Sequence, residues 1–181
     1  VVFQPADLVP GCAWALVDIL QRAGLPDGVL NLVMGRGSVV GQAIVQSADV
    51  DALTFTGSVP TGTTLAMESA KLMRKSQMEM GGKNPFIVLA DADLDVAVDC
   101  VTQGAFFSTG QRCTASSRII VEDAIHDQFL KALSERISAL KVGDALDPET
   151  QIGPVVDQSQ LAQNEDYIRI GEAEGARLVT G

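Results

Sequence analysis

Ala52-Leu53-Thr54-Phe55-Thr56-Gly57-Ser58 reads as a short strand, residues 52–56, that meets two small residues and then opens a helix extending to about Lys75. The same order stands upstream. A strand over residues 29–34 runs into Gly35-Arg36-Gly37-Ser38-Val39-Val40-Gly41, which opens a helix over residues 38–46. Further back, a strand over residues 1–3 precedes a helix over residues 10–23. Gly24 is placed to cap that helix, and Leu25-Pro26-Asp27-Gly28 turns the chain into the next strand. Strands alternating with helices in this rhythm predict a parallel sheet with helical crossovers, the α/β architecture of nucleotide-binding domains.

The pattern changes near Met80. Gly81-Gly82-Lys83-Asn84-Pro85 is a break, and residues 86–90 follow it as a buried-type strand. A helix over residues 94–107 carries Val96, Ala97, Cys100, Val101 and Ala105 at helical spacing. A polar loop leads to a strand over residues 118–121, then a helix over residues 124–140. Pro148 and Gly153-Pro154 punctuate the way to a last helix over residues 157–174. Two domains are expected, residues 1–80 and residues 81–181. The chain starts at Val1 rather than Met and reaches Gly181 after a strand-like run, so it is expected to be an internal piece of a longer protein.

Composition narrows the function classes. Hydrophobic residues make up 46% and charged residues 20%, enough apolar material for a packed core. The formal net charge of −10 repels phosphate backbones and anionic lipid, so neither nucleic acid nor a membrane surface is an expected partner. No apolar stretch approaches the length of a bilayer span, and no signal segment opens the chain. Cys12, Cys100 and Cys113 form no CxxC pair, and an odd count argues against a disulfide framework. A reducing compartment, hence a cytoplasmic location, is expected.

Several residues carry chemistry. The loop from Gly35 to Gly41 follows a strand and opens a helix, a setting in which free backbone N–H groups favour an anion. Its GxGxxxG spacing departs from the dinucleotide fingerprint, so it reads equally as a plain strand-to-helix turn. With Phe55-Thr56-Gly57-Ser58 it makes two such junctions at one sheet edge, where open α/β folds bind ligands. Cys113 lies among small polar residues in Ser108-Thr109-Gly110-Gln111-Arg112-Cys113-Thr114-Ala115-Ser116-Ser117. Arg112 beside it favours the thiolate, the reactive form, but on these residues alone a structural cysteine stands slightly ahead of a nucleophile. Cys12 and Cys100 sit in apolar helical runs and are expected to be buried. Glu79, between Met78 and Met80, is either a general base in a partly apolar site or an ordinary exposed strand glutamate. His126, the one histidine, reads as an exposed residue near a helix start. With no GxSxG elbow and no HExxH site, hydrolase chemistry loses ground.

Glu79-Met80-Gly81-Gly82-Lys83-Asn84-Pro85, followed by Gly110-Gln111-Arg112-Cys113, closely resembles the two signature segments of aldehyde dehydrogenases, and 34 residues separate Glu79 from Cys113. Phe55-Thr56-Gly57-Ser58 resembles that family's cofactor loop, and the run from Gly24 to Asn31 is similar to its link between cofactor elements. The likeness covers essentially the whole chain. It implies a Rossmann-like cofactor domain portion over residues 1–80 and a catalytic domain portion over residues 81–181. Cys113 would attack the aldehyde, Glu79 would activate the water that releases the acid, and the Cys113 N–H would serve as one oxyanion donor. The second donor, an asparagine, would lie upstream of Val1, and a glutamate holding the nicotinamide ribose beyond Gly181.

Cofactor contacts implied by the resemblance fall on Gln4, Asp7, Gly35, Phe55, Gly57, Ser58 and Met80. Gln4 stands where most members carry a lysine, and Asp7 where an NAD-preferring glutamate is common, so NAD is favoured with NADP still open. The segment from Gly110 to Arg118 resembles dehydrogenases acting on 2-oxoglutarate semialdehyde. Arg112 and Thr114 are therefore candidate substrate contacts, Arg112 pairing with a distal anion or else anchoring its loop. A homo-oligomer, dimer or tetramer, is expected of the full-length protein. Two rival readings stand beside this one: a CoA-acylating relative, against which Glu79 counts, and a catalytically silent binding or assembly segment.

Overall fold

The structure is a computed structural model that describes residues 1–180; Gly181 lies outside the described residues. The chain divides into two compact units, Val1–Met80 and Gly81–Gly181.

In the first unit, β1 (Val2–Phe3) leads to α1 (Pro10–Arg22), β2 (Asn31–Leu32), α2 (Gln42–Gln46), β3 (Ala52–Gly57), α3 (Val59–Lys71) and β4 (Lys75–Met80). α1 begins on Pro10, whose fixed φ and missing N–H suit a first turn. It ends in a Schellman turn: Gly24, at φ 96°, donates to Gln21 O at 3.0 Å, and Leu25 donates to Leu20 O at 3.1 Å. The expected strand over residues 29–34 shrinks to two residues, bracketed by Gly28 at φ 80° and Gly35 at φ 151°.

The parallel order is present, but as two separate pairs, β1–β2 and β3–β4, rather than one continuous sheet. The helix expected to reach Lys75 stops at Lys71. Met73 takes a left-handed φ of 52° and closes a second Schellman turn, its N–H on Ala70 O and that of Arg74 on Ser69 O. The four residues thus released let β4 start at Lys75. Arg74 also ties α2 to this turn, donating to Val45 O and Ser47 O.

In the second unit, β5 (Asn84–Val88), α4 (Leu94–Val101), β6 (Ser116–Val121), α5 (His126–Ser138) and α6 (Gln158–Ala173) follow in order. β5 and β6 pair in parallel. Asp93 caps α4 and Asp157 caps α6, each accepting the backbone N–H three residues on. Val88, Ala97, Val98, Val101, Ile125, Phe129 and Leu133 form the core between strand and helices. The helix expected over residues 94–107 is α-helical only to Val101 and continues as a π-turn, Thr102–Phe106. The buried Thr102 hydroxyl bonds back to Val98 O at 2.7 Å, a contact that bends helices. The strand-like run expected before Gly181 forms no strand among the described residues; Thr180 instead shares a 3.3 Å hydrogen bond between hydroxyls with Ser138.

Cys12 and Cys100, expected to be buried, are exposed. On α4 the inward face carries Ala97, Val98 and Val101, which turns Val96 and Cys100, four residues apart, outward together. On α1 only Ala13 is buried, while Trp14, Leu16 and Ile19 stay exposed beside Cys12. No helix among the described residues is long and apolar enough to cross a membrane.

Candidate active site

Between α4 and β6 the chain makes a series of tight, individually anchored turns. After the π-turn comes a 3-10 turn, Phe107–Gly110, in which Ser108 (φ 56°), Thr109 (φ 53°) and Gly110 (φ 66°) are all left-handed. Two such residues in succession without glycine store strain that surrounding contacts must hold in place. Gly110 has a further constraint, since a Cβ there would stand 2.9 Å from Ala105 O.

Next, the Ala115 N–H donates to Arg112 O at 3.0 Å and closes a turn with Cys113 and Thr114 at its tip. Both tip residues are exposed, whereas Ala115 is buried and roots the turn. Among the described residues of the second unit, the N–H groups of Cys113 and Thr114 find no acceptor.

Side chains pin this turn from several directions. Arg112 Nη2 donates to Gln103 O at 2.7 Å, the anchoring contact foreseen as one of its two roles. Gln111 Oε1 accepts the Val156 N–H at 3.2 Å, and its amide nitrogen bonds Thr109 Oγ1. Asn84, at the start of β5, donates through Nδ2 to Cys113 O at 2.7 Å and to Ala115 O at 3.1 Å. Arg118 reaches back with Nε and Nη2 to Lys83 O, at 3.2 and 2.8 Å.

In the first unit, the candidate residues gather at two places. At the C-terminal ends of β3 and β4, Thr56 faces Glu79 and Gly57 faces Met80 in register. The Phe55 ring lies against Gly57, and the Met80 sulfur lies where a Cβ on Gly62 would come within 2.5 Å. Glu79 is exposed and takes a 3.3 Å hydrogen bond from Gln77 Nε2, matching the plain strand-glutamate reading rather than a partly apolar site.

Ser58 caps α3: its hydroxyl accepts the Thr61 N–H at 3.4 Å and donates to Thr61 Oγ1 at 3.0 Å. Pro60 supplies no N–H, so this helix start offers an anion fewer free donors than the bare motif suggests.

The second place is the glycine-rich loop, which opens a π-turn, Gly37–Gly41, before α2 rather than an α-helix directly. Gln4 Nε2 donates to Gly35 O at 3.1 Å, and a Cβ on Gly41 would stand 3.0 Å from Gln4 Oε1. The Gln4 carboxamide therefore lies along the loop, against Gly41; Gly35 is required separately, since its φ is 151° and a Cβ would meet Val40 Cγ2 at 2.5 Å. Asp7 is exposed in the turn after β1.

So Gln4 joins Gly35, Phe55 joins Gly57, Ser58, Glu79 and Met80, and Arg112 joins Cys113 and Thr114. His126 is exposed at the first turn of α5, 2.9 Å from Asp127 Oδ1. Residue-by-residue reading left Asn84, Gln103 and Arg118 without a role. Asn84 and Arg118 donate to backbone carbonyls up to 35 residues away, and Gln103 offers its own carbonyl to Arg112, contacts for which no spacing rule exists. Among the described residues no three His, Cys, Asp or Glu side chains are grouped to hold a metal ion.

Comparison with known proteins identifies the family. The sequence model of the aldehyde dehydrogenase family matches residues 1–181. Betaine aldehyde dehydrogenase of Bacillus subtilis is 42% identical over 181 residues, which are 100% of this chain and 37% of that protein. Alpha-ketoglutaric semialdehyde dehydrogenase of the same organism is 43% identical over the same span, again 37% of its length. The crystal structure of an NAD-dependent aldehyde dehydrogenase from Sinorhizobium meliloti superposes with a TM-score of 0.97 at 36% identity, covering 99% of this chain and 36% of that one. Betaine aldehyde dehydrogenase from Staphylococcus aureus in complex with NAD+ gives 0.95 at 36% identity, with 99% and 36% covered. The chain thus spans about 37% of the length of the curated relatives it matches. It belongs to the aldehyde dehydrogenase family.

Proposed function

We propose that the protein carrying this chain oxidises an aldehyde to a carboxylate with NAD, using Cys113 as nucleophile and Glu79 as general base. The observation that carries this reading is the placement of Cys113: exposed at the tip of a turn closed by the Ala115–Arg112 hydrogen bond, with its own N–H and that of Thr114 unspent among the described residues of the unit. A thiol held there is presented for attack, and free turn N–H groups suit a developing oxyanion.

The Cys113 sulfur forms a bond to the aldehyde carbon, and the carbonyl oxygen takes the negative charge beside the Cys113 N–H. Loss of hydride from that carbon leaves a thioester on Cys113. Glu79 then removes a proton from water, the hydroxide adds to the acyl carbon, and the C–S bond breaks to release the acid and regenerate the thiolate. Bound NAD supplies the hydride acceptor. Gln4 with Gly35, and Phe55, Gly57, Ser58 and Met80 at the β3–β4 edge, are the residues that would hold it. The fit rests on small residues at both strand-to-helix junctions, where a side chain at Gly35 would collide with Val40.

For the substrate, we propose an anionic semialdehyde. Similar proteins carry the names of both betaine aldehyde and alpha-ketoglutaric semialdehyde, so family membership leaves the charge of the substrate open. Arg112, exposed and next to the nucleophile, carries a permanent cation; one guanidinium nitrogen is engaged by Gln103 O, and the others would pair with a distal carboxylate.

The test uses the full-length protein. Nicotinamide reduction is followed by absorbance with NAD or NADP over acidic, neutral and trimethylammonio aldehydes, with and without CoA. Turnover without CoA, fastest with NAD and an acidic aldehyde, is the expected result. Turnover only with CoA moves the assignment to acyl transfer, and none under any condition leaves a binding or assembly role.

A further inference from the structure

Among the described residues, the Asn84 carboxamide is the only side chain from outside the segment 103–115 that hydrogen-bonds the backbone of the Cys113 turn, and it does so twice. Nδ2 carries two hydrogens, and one is used on Cys113 O at 2.7 Å, the other on Ala115 O at 3.1 Å. Those two carbonyls bracket the turn. The Cys113 carbonyl belongs to the peptide plane leaving the nucleophile, and the Ala115 carbonyl to the plane that enters β6.

The β5–β6 ladder does not hold this point. Asn84 pairs with Ser116 but Pro85 pairs with Arg118, so the register slips by one residue here, and Pro85 has no N–H to give. A side chain stands in for the missing ladder bonds. On the far side of the slip, Arg118 does the same toward Lys83 O.

We infer that Asn84 is a positioning residue for the nucleophile turn: its two donated hydrogen bonds hold the Cys113–Ala115 backbone in the orientation from which the thiolate attacks. This rests on the reading of Cys113 as nucleophile. It is the donor hydrogens, not the volume of Asn84, that matter. Serine keeps one donor, alanine none, and aspartate is isosteric but sets a carboxylate against two carbonyls. The expected order of kcat is therefore Asn, then Ser, then Ala, then Asp. A residue that only filled space would place Asp next to Asn.

The experiment compares wild-type full-length protein with Asn84→Ser, Asn84→Ala and Asn84→Asp, with kcat expressed per titrated Cys113 thiol. Misplacing a reacting group by a fraction of an ångström to an ångström predicts a loss of about 10- to 100-fold for Asn84→Ala. KM for NAD should stay within about twofold, since the cofactor contacts are untouched. In parallel, amide hydrogen exchange should show the Ala115 N–H, the one bonded amide of the turn, losing protection in Asn84→Ala while β5 keeps its own. Asn84→Asp at wild-type kcat, or Asn84→Ser no better than Asn84→Ala, would overturn the inference. If Asn84→Asp does not fold, the serine–alanine comparison decides. If the wild-type protein shows no Cys113-dependent turnover, the proposed function fails by itself, and unchanged exchange at the Ala115 amide would separately overturn the clamp.

Discussion

Thr56 on β3 is the register partner of Glu79 on β4, one rung before Gly57 meets Met80, so the candidate base and the junction carrying Ser58 share the C-terminal end of one parallel strand pair. That end is where open α/β sheets bind ligands. Glu79→Gln keeps the shape and the hydrogen bond from Gln77 but removes the proton acceptor. Rapid mixing should show a normal burst of nicotinamide reduction, followed by steady turnover about 10²- to 10⁴-fold below wild type. An unchanged steady rate would remove Glu79 from that role.

Arg112 separates the anionic semialdehyde from neutral substrates. Arg112→Leu should raise KM for acidic aldehydes by about 10-fold or more, the worth of a charge-assisted hydrogen bond, and leave neutral ones much less affected. Equal losses on both would reduce Arg112 to the anchor on Gln103 O.

Gly110 is predicted to resist any side chain. Gly110→Ala combines a φ of 66° with a Cβ 2.9 Å from Ala105 O, a backbone atom that cannot swing away. The left-handed cost alone is roughly 1–2 kcal/mol. Urea unfolding should show at least that loss, with turnover lowered because the turn before Cys113 must shift.

Met73 offers the opposite sign. It is 93% exposed, so its side chain packs against nothing, yet it holds a left-handed φ of 52°. Met73→Gly should stabilise the protein by up to about 1 kcal/mol, read as a higher denaturation midpoint. A fall in stability would mean that the Met73 side chain has a partner in the full-length protein.

The same position explains where the sequence was legible and where it was not. The start of α3 could be read because Gly57-Ser58 and Pro60 are all helix-opening residues. Its end could not, because the Schellman turn uses methionine where glycine is the usual signal. Helical spacing placed Cys100 on α4 correctly, but spacing alone does not say which face turns inward; that depends on α5, whose Phe129 shares one buried cluster with Val98 and Val101. Glu79 and Cys113 stood out through their motifs, whereas Asn84 lay inside one of those motifs with no mark of its own. Its partners are carbonyls 29 and 31 residues away, brought near by a slipped strand register.

The most direct test of the account is Cys113→Ser in the full-length protein, with nicotinamide reduction followed in the presence of NAD and an acidic aldehyde. Serine keeps the size and the backbone N–H but is a far weaker nucleophile at neutral pH. The account predicts loss of both the burst and the steady rate, with NAD binding and the unfolding midpoint close to wild type. Reduction of NAD at the wild-type rate in Cys113→Ser would contradict it.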